Sequence, residues 1–264
     1  DLLLILVIPL GVLGAAIATL IAQAVSAVLV TVTLMYRTEG MKLCLSQIRM
    51  YKRMLQSILK IGLPAGFEAI MYSISNIIVQ VSINNFGVDT MAAWTAYSKI
   101  DFIFWMINSA FGISVMTFVG QNYGAGKWDR IRRGTKICLG MALISAVSVS
   151  IILMSAERFL FGIFVNDAGV VEIGIRMMNV IAPAYLLFAF IEVFSGALRA
   201  QGAVVVSTLI TMVGICVLRM IWVTLVAAHG TLEQVIICYP ITWAAGALAV
   251  SYTHLRAHET RSNL

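Results

Sequence analysis

The chain has 264 residues, of which 61% are hydrophobic and 11% charged, with a net charge of +6 and a mean hydropathy of +0.96. That composition excludes a water-soluble domain: long apolar runs dominate, and about 20 such residues cross the hydrocarbon core as a helix. The positive charge does not point to nucleic acid, because Lys and Arg fall in the gaps between apolar runs and form no soluble basic face.

In chain order, a short apolar stub (Leu2–Leu10) precedes six full spans: Gly11–Tyr36, Ile61–Phe86, Met91–Gly120, Ile137–Ala156, Met177–Leu198 and Ala203–Ala228. A seventh follows at Leu232–Val250. Each is of helix length and none alternates as a barrel strand does, so the expected fold is an all-α, polytopic transmembrane helix bundle. The chain opens on Asp1 with no initiator Met, basic leader or small-residue cleavage site before the first run, which reads as a segment of a longer membrane protein. Residues 251–264 break the apolar pattern and read as a non-native tail, with His254 and His258 excluded from the argument. Cys44, Cys138, Cys216 and Cys238 have neither zinc-knuckle nor disulfide-framework spacing and are expected to be small buried side chains.

The gaps alternate in charge. Arg37, Lys42, Arg49, Lys52, Arg53 and Lys60 fill the first, Lys127, Arg130, Arg132, Arg133 and Lys136 another, and Arg199 a third. Asp89, Glu157, Asp167, Glu172 and Glu233 occupy the gaps between them. The positive-inside rule makes the basic gaps cytoplasmic and the protein a multi-pass resident of the cell membrane. Residues 37–60, basic and partly amphipathic, read as a linker along the cytoplasmic interface. Pro64 is placed in the first turns of its span, whereas Pro183 and Pro240 lie inside theirs and should kink or loosen the helix, by packing need or for function.

Three carboxylates, Glu68, Asp101 and Glu192, lie inside the apolar runs. A charge at membrane depth costs about 2.5–3.5 kcal/mol on insertion scales, so such residues usually face a cavity and carry function. Trp94, Tyr97, Asp101, Trp105 and Asn108 fall within about 80° of one another around their helix. That stripe suits an organic cation, with Asp101 as counter-charge and the aromatic faces adding roughly 0.5–2 kcal/mol of cation–π attraction. An interfacial aromatic belt, with Lys99 neutralising Asp101, is the alternative. On the preceding span Glu68, Tyr72, Ser75, Asn76 and Ser82 share a face with Gln80 at its edge. Their oxygens suit sodium or interhelical hydrogen bonds, and Tyr72 and Asn76 join the organic-cation set. Glu68 is placed near the cytoplasmic end, within reach of water. Glu192, near mid-span, has Tyr185, Phe188, Gly196 and Arg199 on its face, and either pairs with Arg219 or holds a proton and releases it when a cation arrives.

No enzyme motif emerges. Gly120-Gln121-Asn122-Tyr123-Gly124-Ala125-Gly126-Lys127 has Gln121 where a phosphate loop has glycine, and Trp128 follows where it has Ser or Thr.

Gly11-Val12-Leu13-Gly14-Ala15-Ala16-Ile17-Ala18-Thr19, Gly62-Leu63-Pro64-Ala65-Gly66, Val119–Lys127 and Ser195-Gly196-Ala197-Leu198-Arg199-Ala200-Gln201-Gly202 together resemble the MATE (multidrug and toxic compound extrusion) family. The resemblance implies two six-helix lobes around a central cavity and export of organic cations in exchange for sodium or protons, with no cofactor beyond the transported ion. It also implies a division of this chain. Residues 1–36 would end the N-terminal lobe, 37–60 link the lobes, and 61–250 form the C-terminal six-helix lobe. The partners implied are organic cations, membrane lipids and the remaining N-terminal lobe, and no nucleic acid. Asp1 is similar to the family's fifth-helix acid and Thr19 to its sixth-helix ligand, so the implied ion-coupling set is Asp1, Thr19, Glu192 and Glu68. The chain departs from one branch of the family, which carries acids where this sequence has Tyr72 and Phe188. The rival readings are a lipid-linked or polysaccharide flippase of the same wider group, which favours a basic cavity, and a membrane-embedded enzyme, which needs a clustered catalytic site.

Overall fold

A computed structural model of the chain describes residues 11–36, 42–227 and 230–262, with side chains as far as His254. Every described element is helical. Seven helices are long and apolar enough to cross a membrane: Gly11–Tyr36, Lys52–Asn84, Val88–Gly124, Trp128–Ser155, Ala168–Ala200, Val204–Val226 and Leu232–His254. All seven expected spans are therefore present, the first with the expected ends and the other six with shifted ones. The stub Leu2–Leu10 lies outside the described residues.

The chain divides into two units, Asp1–Ser57 and Ile58–Leu264. The first holds α1 (Gly11–Tyr36) and a single 3-10 turn at Leu45–Gln47. Apolar side chains cover α1 on most sides, and Gly14 is its one buried residue. The unit boundary falls within α2 (Lys52–Asn84), which begins well before the expected start at Ile61. Lys52, Arg53 and Lys60 are thus helical, since long basic side chains favour a helix and can hold their charges in water from its first turns. Pro64 consequently lies inside α2 rather than in its first turns.

In the second unit α3 (Val88–Gly124) and α4 (Trp128–Ser155) are followed by the short α5 (Glu157–Gly162). The next span is broken, as Pro183 led us to expect: α6 (Ala168–Ile181), a 3-10 turn at Ala182–Ala184, then α7 (Tyr185–Ala200). The sixth span alternates α8 (Val204–Thr211), a π segment at Met212–Val217, α9 (Leu218–Ile221) and a second π segment at Trp222–Val226. The last comprises α10 (Leu232–Ile236) and α11 (Cys238–Ser262). Pro240 lies in the first turn of α11, where its missing N–H breaks no helical bond, so it marks a helix start rather than a mid-helix kink.

The caps explain the glycine elements. Gly126 adopts φ 68 and Gly202 φ 88, which only glycine takes at low cost. At each, the flanking N–H groups bond back in a Schellman pattern: Lys127 N to Asn122 O (2.9 Å) and Gly126 N to Tyr123 O (3.1 Å), Ala203 N to Leu198 O (3.0 Å) and Gly202 N to Arg199 O (3.0 Å). The segment that superficially resembled a phosphate loop is thus a helix terminator. Asp167 caps α6 through Gly169 N and Val170 N, and Thr231 with Gln234 forms a capping box on α10.

The core centres on α7, which packs on α3, α4 and α11. Gly196 allows the approach to α3: a Cβ there would lie 3.0 Å from Gly112 O. By contrast α2 is tied to the bundle through long polar side chains that reach α7, α8 and α9. At the acidic ends, Arg158 pairs with Glu172 and Arg176 with Glu233, all four exposed; such pairs contribute little, about 0–1 kcal/mol. The helix of α11 continues through Ser262, and His254 is buried with its ring 4.5 Å from that of Phe194, so the helical fold extends beyond Val250.

Candidate functional site

A cavity of about 370 Å³ opens between α2, α3, α6 and α11, lined by Tyr72, Asn76, Gln80, Trp94, Tyr97, Ser98, Asp101, Phe102, Trp105, Ile181, Tyr239 and Trp243. Six of the seven residues expected to bind an organic cation meet here: Trp94, Tyr97, Asp101, Trp105, Tyr72 and Asn76. Asn108 does not line this cavity; it is buried one turn further along α3. The lining contains one carboxylate and no Lys or Arg.

Asp101 is held at both oxygens. Trp105 donates its indole N–H to Oδ2 (2.6 Å) and Tyr185 its hydroxyl to Oδ1 (2.5 Å). Tyr97 and Tyr185 share a further hydrogen bond between their hydroxyls (3.2 Å). Tyr185 stacks on Phe104 at 3.8 Å, and it directly follows the 3-10 turn at Pro183, so the break in the span sets its position. Donors on both oxygens fix the carboxylate's orientation. Lys99 lies on a neighbouring surface with Gln80, Thr95 and Phe102 and makes no ion pair with Asp101. Around this acid Tyr72 meets Trp105 edge-on (6.5 Å), Trp94 meets Tyr239 (5.9 Å) and Trp105 meets Trp243 (6.1 Å).

The other two acids correct the sequence reading. Glu68 is not solvated near an interface: it is 9% exposed. Its Oε1 accepts from Arg199 Nη2 (2.7 Å) and its Oε2 from Thr208 Oγ1 (3.0 Å). Arg219 does not pair with Glu192. Its guanidinium is fully buried, donates from Nη1 to Asn76 Oδ1 (3.0 Å), and lies 4.3 Å from the ring centre of Tyr239 and 5.6 Å from that of Tyr72. Its Nε and Nη2 have no acceptor among the described residues. Aromatic faces and an amide oxygen thus take the role expected of a carboxylate, with cation–π attraction of about 2 kcal/mol where desolvated. π segments on either side place this arginine in locally irregular backbone, which recurs at functional positions.

Glu192 lies in a second cavity, of about 410 Å³, with Glu68, Tyr72, Phe188, Ser195, Arg199 and Thr211 among its lining residues. Its carboxylate rests against Gly112 of α3, where an added Cβ would collide with Oε1. Ser195 Oγ is buried nearby on the same helix with no partner among the described residues. Tyr72 lines both cavities and separates the Asp101 site from the Glu192 site. Thr19 is exposed on α1 and donates to Ala15 O (2.9 Å); Asp1 lies outside the described residues.

Sequence reasoning missed Tyr239 and Trp243 as cavity residues and Tyr185 as the donor that holds Asp101. The available signals were the placement of Tyr185 two residues after Pro183 and the four-residue spacing of Tyr239 and Trp243.

The arrangement defines a polytopic α-helical membrane protein with an acid-bearing aromatic cavity inside its bundle. The MatE family model matches residues 64–225, and the chain belongs to the MatE family. It is 25% identical over 247 residues to "Probable multidrug resistance protein YoeA" of Bacillus subtilis (strain 168), covering 91% of this chain and 53% of that protein. It is 23% identical over 246 residues to "Multidrug and toxin extrusion protein 1" of Homo sapiens, covering 87% and 41%. Its fold matches the structure described as "Outward-facing conformation of a multidrug resistance MATE family transporter of the MOP superfamily", with TM-score 0.89, 17% identity, all of this chain and 60% of that one. The chain therefore spans about half the length of the curated relatives it matches.

Proposed function

We propose that this chain is the C-terminal six-helix lobe, with the last span of the N-terminal lobe, of an exporter that exchanges organic cations for sodium or protons. The observation that carries the reading is Asp101: one oriented carboxylate inside a cavity of six Tyr and Trp rings, with no basic residue in its lining. An aromatic or quaternary cation entering there gains a counter-charge and several π faces at once. A basic cavity, which a flippase for anionic lipid-linked substrates favours, is the opposite arrangement. The multidrug names carried by the relatives support the same reading.

Within it, Glu192 takes the ion-coupling role and Glu68 a structural one. Glu192 has no ion-pair partner among the described residues, so it is free to exchange a proton or a small cation, whereas Glu68 is engaged by Arg199 and Thr208. Asp1 and Thr19 complete the coupling set on the other lobe. Basic loops face the cytoplasm, following the Lys and Arg asymmetry. Gradient-driven export of an aromatic quaternary ammonium by the full-length protein in proteoliposomes is the test, together with labelling of a cysteine placed at Trp128 from the inner side only. Export indifferent to both sodium and proton gradients, or labelling from outside, contradicts the proposal.

Gly112→Ala probes the role of Glu192 without touching the acid. The added methyl occupies the space of Oε1, so the carboxylate must turn away from α3. The ion dependence of export should shift in the same direction as in Glu192→Gln, with the melting temperature lowered by only a few degrees, equivalent to about 1 kcal/mol. An unchanged ion dependence would separate Glu192 from coupling.

A further inference from the structure

Arg219 combines three properties. It is fully buried, its Nε and Nη2 have no acceptor among the described residues, and it sits behind cavity-lining residues of α2 and α11. The residues that hold it, Asn76, Tyr72 and Tyr239, are themselves cavity-lining residues. Asn76 Oδ1, which accepts from Nη1, is a neutral amide oxygen, while Nη2 beside it has no acceptor among the described residues. A carboxylate that displaced the amide would bind Nη1 and Nη2 as a two-pronged fork, a charge-assisted geometry stronger than the bond it replaces.

We infer that Arg219 is an anion subsite of the Asp101 cavity, and that the preferred ligand is a zwitterion whose cation meets Asp101 and whose carboxylate meets Arg219. This deepens the organic-cation reading and rests on it. Charge balance favours the same ligand. A simple cation neutralises Asp101 and leaves the nearby guanidinium charge without a counter-charge, whereas a zwitterion satisfies both. The π segments flanking α9 give the helix room to present Arg219, because backbone already departing from the α register adjusts at lower cost than a regular helix.

The test uses two probes of one skeleton, 4-(trimethylammoniomethyl)benzoate and its methyl ester, titrated into the full-length protein in chloride and in gluconate buffer. The wild-type protein should bind the free acid about tenfold more tightly than the ester. Arg219→Gln should reduce that ratio to about one while leaving ester affinity within about twofold, whereas Asp101→Asn should weaken both probes. Because the acid-to-ester ratio is read in the wild-type protein, the inference stays testable even if the variant does not fold. Arg219→Lys, which keeps the charge and loses the fork, should give an intermediate ratio. Equal binding of acid and ester by the wild-type protein would overturn the inference while leaving the cation reading intact. So would ester binding that requires chloride and Arg219, since the acceptor would then be an inorganic anion. Failure of the protein to bind either probe would overturn the cation reading as well.

Discussion

Replacing Asp101 by asparagine in the full-length protein should raise the KM for an aromatic quaternary cation at least about tenfold, equivalent to roughly 1.4 kcal/mol of lost binding. The side chain is nearly isosteric, so the effect isolates charge and donor pattern. Trp105 and Tyr185 each donate to a carboxylate oxygen. An asparagine accepts from only one of them and sets its own N–H₂ against the other donor, while the aromatic cavity loses the one carboxylate among its described lining residues. Tyr185 can turn its hydroxyl toward Tyr97, 3.2 Å away, which limits the structural damage. The expected outcome is therefore a large loss of affinity with a small change in melting temperature. Unaltered KM would remove Asp101 from the binding role.

Glu68→Gln should have the opposite signature. The Arg199–Glu68 pair at 2.7 Å, with the acid side chain 11% exposed and the arginine 33%, is, among the described residues, one of three side-chain hydrogen bonds that tie α2 to α7, α8 and α9. Removing the acid leaves a largely desolvated guanidinium without its counter-charge, and Thr208 loses an anionic acceptor. Breaking a buried pair costs about 3–5 kcal/mol, and the partial exposure of Arg199 brings the expected figure to about 2 kcal/mol. Thermal unfolding of the purified protein should show it as a clear fall in melting temperature, with cation KM unchanged. Adding Arg199→Gln should recover part of the loss, because the double variant strands no charge. A variant with wild-type stability and altered ion dependence would instead place Glu68 in the coupling machinery.

The spans were legible because about 20 apolar residues between charged gaps admit few other readings. Their ends were not: basic side chains can belong to a helix and still reach water, so Lys52–Lys60 joined α2 and Trp128–Lys136 joined α4. Half of the cavity wall was legible for the same periodic reason, since Trp94, Tyr97, Asp101 and Trp105 share one face of a single helix. The other half comes from α2, α6 and α11, with Tyr185 of α7 holding Asp101, and no spacing rule brings residues 84 positions apart, such as Asp101 and Tyr185, into contact. The pairing of charges was misjudged because the sequence offers Arg219 and Arg199 equally to any buried acid. Long-range packing decided it, giving Arg199 to Glu68 across 131 positions and leaving Arg219 to aromatic faces and Asn76.

The central claim is that an organic cation occupies the Asp101 cavity. A quaternary ammonium bearing a photoreactive diazirine, irradiated with the full-length protein and mapped by mass spectrometry, tests it most directly. Label should fall on Tyr72–Asn76 of α2, Trp94–Trp105 of α3 and Tyr239–Trp243 of α11, should be displaced by excess unreactive cation, and should be lost in Asp101→Asn. Displaceable label confined to segments outside these three helices, and unchanged in Asp101→Asn, would contradict the claim.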